Sequence, residues 1–278
     1  MAATVGDEIA RGAEQLRAAG LPGAERDARW LMAACLGIPR DRLTLHLRDP
    51  LSSEVEFFFP HYINDRLARK PVSRILGERL FWGRLFKVTD ATLDPRPETE
   101  VLVEIALSEP FGDVLDLGTG TGCILVTLLA ERPKAIGVGT DISEQAVLVA
   151  GDNAAAHGVA SRLILPVSDW WEDVGGTYDL IVSNPPYIAA VEMADLAPEV
   201  RKWDPEIALT DEGDGLSAYR AIAGGARDHL TRGGRLLVEI GPSQGAAVAA
   251  LFQAAGLEDI TIHPDMDGRD RVVVARRC

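Results

Sequence analysis

The chain has 278 residues, 47% of them hydrophobic and 25% charged, with 28 Lys and Arg against 42 Asp and Glu and a formal net charge of −14. That balance belongs to a folded globular chain rather than a disordered one, and the length suits one large or two ordinary domains. Its acidity argues against a mainly electrostatic grip on nucleic acid, for which basic stripes supply most of the affinity. Cys35, Cys123 and Cys278 are far apart and odd in number, which fits a reducing compartment without a disulfide framework. The histidines His46, His61, His157, His229 and His263 form no ligand-spaced cluster, so no metal site is expected. The first twenty residues carry early acids and no apolar core segment, unlike a signal peptide, and no apolar run approaches bilayer length. The expectation is a cytoplasmic protein with no membrane partner.

The first quarter reads as short helices separated by Gly and Pro. Val5, Ile9 and Leu16 fall on one face of a helix ended by Gly20-Leu21-Pro22. Ala28, Leu31, Met32 and Cys35 repeat the pattern up to Gly37, and a third helix is predicted over Glu54 to Arg69, halted by Pro71. Helices this short must pack on one another, so a small bundle is expected. Two apolar-aromatic runs around Gly83 then suggest a hairpin. A Pro-rich turn follows, leading into a helix whose first turn carries Glu98 and Glu100; the helix dipole is reason enough for both carboxylates.

From Asp113 the pattern alternates between short Val/Ile/Leu runs and helical stretches. The runs are DVLDLG, AIGVGTD, RLILPVSD, YDLIVSN and RLLVEIG. This alternation predicts a mostly parallel sheet with helices on both faces. The tail adds two strands, the last from an edge hairpin. The expected division is a helical domain over 1–75, a hairpin linker over 76–93 and an α/β domain over 94–278.

In such sheets ligands bind beyond the carboxyl ends of the strands. Three features converge there. The loop Gly118-Thr119-Gly120-Thr121-Gly122 ends the first strand and opens a helix, where glycines admit close backbone approach. Asp141 stands about 20 residues further on, where an acid can bind ribose hydroxyls. An N-cap is the bland alternative for Asp141, but Ser143 could serve that purpose as well. Asp169 and Trp170 close the third strand and could bracket a flat adenine ring, although at least one of Trp170 and Trp171 should be core. The spacing G-x-G-x-G departs from the dinucleotide fingerprint, and no Walker lysine is present, so pyrophosphate ligands are disfavoured. A nucleoside with an amino-acid tail, S-adenosylmethionine, fits better.

The stretch Asn184-Pro185-Pro186-Tyr187 ends a strand that should lie beside the glycine-loop strand. Two prolines stop a strand cleanly, and that alone could explain them. With the cofactor features at the same edge, a second role emerges. A planar NH2 group is a poor nucleophile because its lone pair is delocalised. The Asn184 side-chain carbonyl and the Pro185 backbone carbonyl can accept both of its N–H groups, and Tyr187 offers a flat face. Acceptors aimed at a nitrogen that becomes positive favour the transition state over the ground state.

The combination of DLGTGTG with SNPPYI resembles class I S-adenosylmethionine-dependent amino methyltransferases. Those include adenine, cytosine and protein-glutamine enzymes. The segments RKPVSRILGERLFWGRLFKV, LDPRPETEVLVE, DGLSAYRAI, LLVEIGPSQG and DGRDRVVVARR narrow the resemblance to HemK-type release-factor glutamine methyltransferases over nearly the whole length from about Arg69. The resemblance implies a Rossmann-like, seven-stranded catalytic domain behind a helical domain that holds a release factor. It implies methylation of the glutamine in the factor's Gly-Gly-Gln loop, leaving S-adenosylhomocysteine, without metal and without stable nucleic-acid binding. Carried over by position, Gly118 to Gly122 contact the methionine moiety, Asp141 the ribose, and Trp170 the adenine neighbourhood. Asn184 to Tyr187 hold the glutamine. Arg96, Pro97, Glu98, Thr99 and Glu100 form an access loop over the site. One departure is Asp94, where the family pattern has an apolar residue. The alternatives are a nucleic-acid amino methyltransferase, a ribosomal-protein glutamine methyltransferase and a cofactor-binding scaffold without turnover.

Overall fold

The computed structural model describes residues 3–278, which divide into two compact units. The first runs to Gly77 and takes back Ala197–Trp203; the second holds Glu78–Leu196 and Asp204–Cys278.

In the first unit, helix α1 (Val5–Ala18) starts at Thr4, which accepts from the Asp7 backbone while the Asp7 carboxylate takes the Thr4 N–H. This reciprocal capping satisfies two N–H groups that the helix cannot. Helix α2 (Ala24–Cys35) follows, and α3 (Ser53–Leu67) opens on the Ser52 hydroxyl. Pro60 is accommodated inside α3. The helix stops short of the predicted end because Arg69 enters the left-handed region at φ 70°. Helix α4 (Val72–Leu76) ends at Gly77, φ 73°. Val5, Ile9, Leu16, Ala28, Leu31, Met32, Phe59 and Ile63 are buried together. Gly12 lets α1 meet α3, since a Cβ there would stand 2.9 Å from Ile63 and 3.0 Å from Phe59. Beside this core Arg66 donates to Asp27 at 2.9 Å, both side chains being buried.

The second unit begins with a hairpin, β1 (Glu78–Phe81) and β2 (Arg84–Lys87). Trp82 and Gly83 between them have φ 49° and 70°, the two positive angles that a type I′ turn requires. Helix α5 (Glu100–Leu107) turns its first carboxylate back to that hairpin, where Glu100 accepts the Trp82 N–H at 2.7 Å. Then come β3 (Asp113–Leu117), α6 (Cys123–Glu131), β4 (Ile136–Thr140), α7 (Glu144–Ala156), β5 (Leu163–Ile164) and β6 (Tyr178–Ser183). Next the chain forms α8 (Pro198–Trp203), which belongs to the first unit; there its Glu199 pairs with Arg66 and Arg69. The second unit closes with α9 (Ser217–His229), β7 (Leu230–Glu239), α10 (Gly245–Ala254), β8 (Glu258–Pro264) and β9 (Asp270–Arg276).

The sheet order is β5-β4-β3-β6-β7-β9-β8, parallel from β5 to β7, with β9 antiparallel to both its neighbours. Helices cover both faces, which is why β3 and β6 read as continuous apolar runs. Leu125 and Leu129 of α6 fill one face, and Tyr219, Ile222 and Phe252 the other. One expectation shifts. The third predicted strand is only two residues long, because Pro166 stands two residues past its end and cannot donate to a ladder. The last two strands form the expected hairpin at the sheet edge. Val272 to Ala275 are buried, so β9 inserts beside β7 and leaves the mostly exposed β8 outside. Among the described residues no helix is long and apolar enough to cross a membrane.

Asp27→Ala would leave the Arg66 guanidinium buried beside its lost partner and should destabilise the helical unit by about 3 kcal/mol. Urea unfolding followed by far-UV circular dichroism checks this. A change below ~1 kcal/mol would show that Glu199 compensates Arg66 without Asp27.

Candidate functional site

After β3 the chain adds β4 and β5 on one side, and β6 and β7 on the other. That reversal opens a crevice at the carboxyl ends of β3 and β6, and a cavity of about 680 Å³ lies there, the size of a small-molecule site. Its walls take in Gly118 to Thr121, Asp141, Asp169 and Trp170, Asn184 and Pro186, and Arg96 and Thr99. Residues from five separate parts of the chain therefore meet at one sheet edge.

The glycine loop is held from within. Gly118 and Gly120 have φ 73° and 56°, and neither has an atom within 4 Å of where a Cβ would stand. Gly122, φ 76°, differs from them. A Cβ there would lie 3.2 Å from that of Ala150, so this glycine serves packing against α7 rather than the cavity. The Thr119 N–H bonds the Thr140 carbonyl at 2.8 Å, and its hydroxyl donates to Asp116 at 2.7 Å. Asn153 ties the loop to the hairpin, donating to the carbonyls of Thr121 and Lys87 and accepting the Lys87 N–H.

Asp141 corrects an expectation. The sequence shows no local need for it, with Ser143 free to cap α7, and Ser143 does cap it by accepting the Ala146 N–H. Yet Asp141 also has a local structural role: one oxygen takes the Gly120 N–H at 2.9 Å and the other the Ser143 N–H at 2.9 Å. It braces the glycine loop while one side remains on the cavity wall.

The electrostatics are unusual for an acidic protein. Burial pushes the Asp116 carboxyl up to about 7, the Thr119 hydrogen bond offsets this only in part, and the Asp141 charge adds to it. Asp116 Oδ1 is buried without a hydrogen-bond partner in the protein. Burial also raises Asp141, against the N–H groups of Ser143 and Gly120. Burial thus holds two carboxyls toward their neutral form at this end of the sheet.

The two tryptophans both pack against the second core cluster but differ in their other contacts. Trp171 is structural: it donates to the Ala221 carbonyl at 2.8 Å, stacks on His229, and leaves no room for a Cβ on Gly225. Trp170 reaches the cavity from a backbone at φ 47°, held by the Ser168 hydroxyl donating to its carbonyl.

The end of β6 is fastened to β3, because Ser183 donates its hydroxyl to the Leu117 carbonyl at 2.7 Å. Asn184 donates its NH2 to Thr99 Oγ1 at 3.3 Å, and Pro185 is buried behind it. Tyr187 lies differently from the expected flat face toward the acceptor. Its ring packs against the core of the second face and its hydroxyl lies 3.5 Å from Glu239 Oε1. The Tyr187 carbonyl accepts from Gln244 at 2.9 Å, and a Cβ on Gly215 would stand 2.4 Å from it.

In the access loop, Thr99 and Arg96 face the cavity, and Arg96 pairs with Asp204. Pro97 and Glu98 are exposed, and Glu100 is committed to the hairpin. Asp94 has its explanation here, buried opposite Arg79 at 3.8 Å. Sequence reasoning missed Gly215, Glu239 and Gln244. All three lie in the segments DGLSAYRAI and LLVEIGPSQG that carry the family resemblance, but nothing in one dimension tells a strut from a ligand. Among the described residues no group of His, Cys, Asp or Glu is placed to hold a metal ion.

Comparison with known proteins bears on the family and the fold. Residues 8–77 match the PrmC N-terminal domain and residues 91–200 the Methyltransferase small domain. The chain is 61% identical to a release factor glutamine methyltransferase of Cereibacter sphaeroides, over 97% of each chain. It is 44% identical to one from Rhodospirillum rubrum, over 99% of this chain and 86% of that one. A crystal structure of a methyltransferase from Pyrococcus furiosus has the same fold, with a TM-score of 0.54 at 16% identity, over 71% of this chain and 90% of that one.

Asp116 and Glu239 both stand at about 7, above the range near 4 of an unfolded carboxyl. Between those values the folded chain holds more protons than the unfolded one, so these groups make stability fall as pH rises from ~4 through about 7. Urea midpoints of the ligand-free chain should show Asp116→Asn with a smaller decline from pH 5 to pH 8. A decline identical in the variant would remove Asp116 from this role.

Proposed function

The chain belongs to the release factor glutamine methyltransferase family, and on that footing we propose how its residues carry out methylation of a release-factor glutamine. The acceptor is the side-chain amide nitrogen of the Gly-Gly-Gln loop, and the donor is S-adenosylmethionine. What most directly supports the reading is Asn184 on the wall of the crevice that also contains the glycine loop, with its NH2 already taken by Thr99.

The cavity suits that donor. Gly118 and Gly120 present bare backbone, Asp141 offers a carboxylate for ribose hydroxyls, and Trp170 offers a flat wall for adenine. The buried Asp116, short of a partner, adds negative potential beneath a cationic ligand. When bound, S-adenosylmethionine supplies an electrophilic methyl on a sulfonium and leaves as S-adenosylhomocysteine.

The chain's own residues prepare the nucleophile. The Asn184 carbonyl accepts one N–H of the glutamine amide, and the Pro185 carbonyl, on a chain with fixed φ, accepts the other. Accepting both protons turns the lone pair out of conjugation and toward the methyl. Positive charge grows on that nitrogen during transfer, so the same acceptors bind the transition state more strongly than the ground state. The methylated nitrogen is acidic and releases its proton to water, so no general base is required. Gln244, Gly215 and Ser183 hold the backbone of this loop in place, which sustains alignment. The helical domain, over 1–75, docks the release factor, with 76–93 as linker and 94–278 as the catalytic domain. Termination factors act in the cytoplasm, which places the reaction there.

Mass spectrometry of unmodified release factor incubated with the chain and S-adenosylmethionine should find one methyl on the Gly-Gly-Gln glutamine. Methyl groups on nucleic acid or a ribosomal protein instead would overturn the substrate assignment. Asn184→Ala should lower kcat roughly 100-fold with cofactor Kd nearly unchanged, as expected for loss of a transition-state acceptor. Asp141→Ala should act the other way, weakening cofactor binding about 10-fold or more, which calorimetry reads directly. Unchanged affinity there would sink the ribose assignment.

A further inference from the structure

The acceptors proposed for the glutamine amide, the Asn184 side chain and the Pro185 carbonyl, sit on a piece of chain with little freedom. Pro185 and Pro186 have fixed φ, and the Ser183 end is fastened to β3. The direction of the Pro185 carbonyl then depends on where the far end, at Tyr187, is held. A shift there would swing that carbonyl, because few other dihedral angles can absorb it.

The far end is pinned by a second segment, 209–217. The Leu209 carbonyl accepts the Ile188 N–H at 3.0 Å, and the Gly213 carbonyl accepts the Ala190 N–H at 2.9 Å. Gln244 donates to the carbonyls of Tyr187 and Gly215, at 2.9 and 3.1 Å. Its orientation is settled, since its Oε1 takes the Gly241 N–H at 2.9 Å and only Nε2 is left to donate. The turn within this segment is built around one carboxylate. Asp211 Oδ1 takes the N–H groups of Gly213 and Gly215 at 2.8 and 3.0 Å, and Oδ2 takes that of Ser217 at 2.8 Å. Burial raises this carboxyl, but Ser217, Gly213 and Gly215 outweigh it and bring it down to about 2, so it is ionised at neutral pH. Glu212 inside the turn stands at φ 56°, an angle that a residue with a side chain keeps only where its neighbours enforce it.

We propose that Asp211 is a positioning residue for methyl transfer: it shapes the 209–217 turn, which fixes the Tyr187–Ala190 backbone and so the direction of the Pro185 carbonyl. This rests on the amide-methylation reading of the site. Support for the start of α9 would need only the bond to Ser217. The two bonds to Gly213 and Gly215 lie instead on the part of the turn that holds residues 187–190. Gly215 must also pass close to the loop, since a Cβ there would stand 2.4 Å from the Tyr187 carbonyl oxygen. A displaced turn would therefore press on that carbonyl or release it, and alignment of the amide with the methyl would suffer in either case.

The test uses Asp211→Ala, which removes all three bonds, and Asp211→Asn, which keeps one oxygen able to hold Gly213 and Gly215. In Asp211→Ala the Ile188 and Ala190 amides should exchange with solvent about 10-fold faster, the size of one lost hydrogen bond. With release factor and S-adenosylmethionine saturating, kcat should fall about 10-fold while cofactor Kd stays nearly unchanged. Asp211→Asn should recover most of both readouts. Gln244→Ala frees the Tyr187 carbonyl from the other side. Combined with it, Asp211→Ala should cost less in kcat than the two losses multiplied, because both act on one stretch of backbone. Faster exchange with kcat intact would reduce Asp211 to a stabiliser of the turn and overturn the proposal. Exchange left unchanged by Asp211→Ala, or losses that simply multiply, would overturn it too. Should Asp211→Ala fail to fold, Asp211→Ser, whose single shorter oxygen cannot hold both glycines, takes its place. Absence of release-factor methylation by the unsubstituted chain would defeat the functional reading and the catalytic part of the proposal with it, while amide exchange would still report on the clamp.

Discussion

Everything at the site depends on the parallel pairing of β3 with β6. Leu117 stands opposite Ser183 in that ladder, and the Ser183 hydroxyl bonds the Leu117 carbonyl. The glycine loop leaves one strand and the Asn-Pro-Pro-Tyr loop leaves the other at the same level. Parallel strands place both carboxyl ends on one edge, and the reversal of strand order between them opens space for a ligand. A slip of register by one residue would turn each loop's side chains to the opposite face. The apolar packing of α6 on one face of the sheet and α9 on the other guards against that slip.

Around this junction, residues that look like ligands also act as braces. Asp141 holds Gly120 and Ser143, Asn153 joins the loop to the hairpin, and Glu100 secures the hairpin's turn. Gln244 holds the Tyr187 carbonyl and, through the same NH2, that of Gly215. Such bracing lowers the reorganisation required when a substrate amide must be aligned with a methyl donor. The accompanying cost is electrostatic. Asp116 and Glu239 are buried carboxylates with one oxygen each lacking a partner, and burial pushes both up to about 7.

Much was legible in the order of residues. Val5, Ile9 and Leu16 marked a helical face because a 3.6-residue period survives in one dimension, and Trp82-Gly83 lies in the predicted hairpin turn. The glycine loop and Asn184 could be assigned to one edge because a parallel sheet leaves few topologies open. Less legible were the strand limits. Pro166 cut short a strand that its apolar neighbours suggested, while within the edge hairpin β9 takes the inner place because its four consecutive small apolar residues gain from burial on both faces.

The amino-acid sequence by itself determined the two-part organisation and the positions of the glycine loop and the Asn-Pro-Pro-Tyr stretch at strand ends, since each is written in contiguous residues whose local conformations are restricted. Only the tertiary structure decided that Gly122 packs against α7 while Gly118 and Gly120 face the cavity. It alone showed that Tyr187 turns toward Glu239, and that Thr99 accepts from the Asn184 side chain. Those relations join residues 85 and 52 positions apart. Hydrogen-bond direction depends on which atoms meet, and for such distant residues that is settled by strand order and register rather than by spacing along the chain.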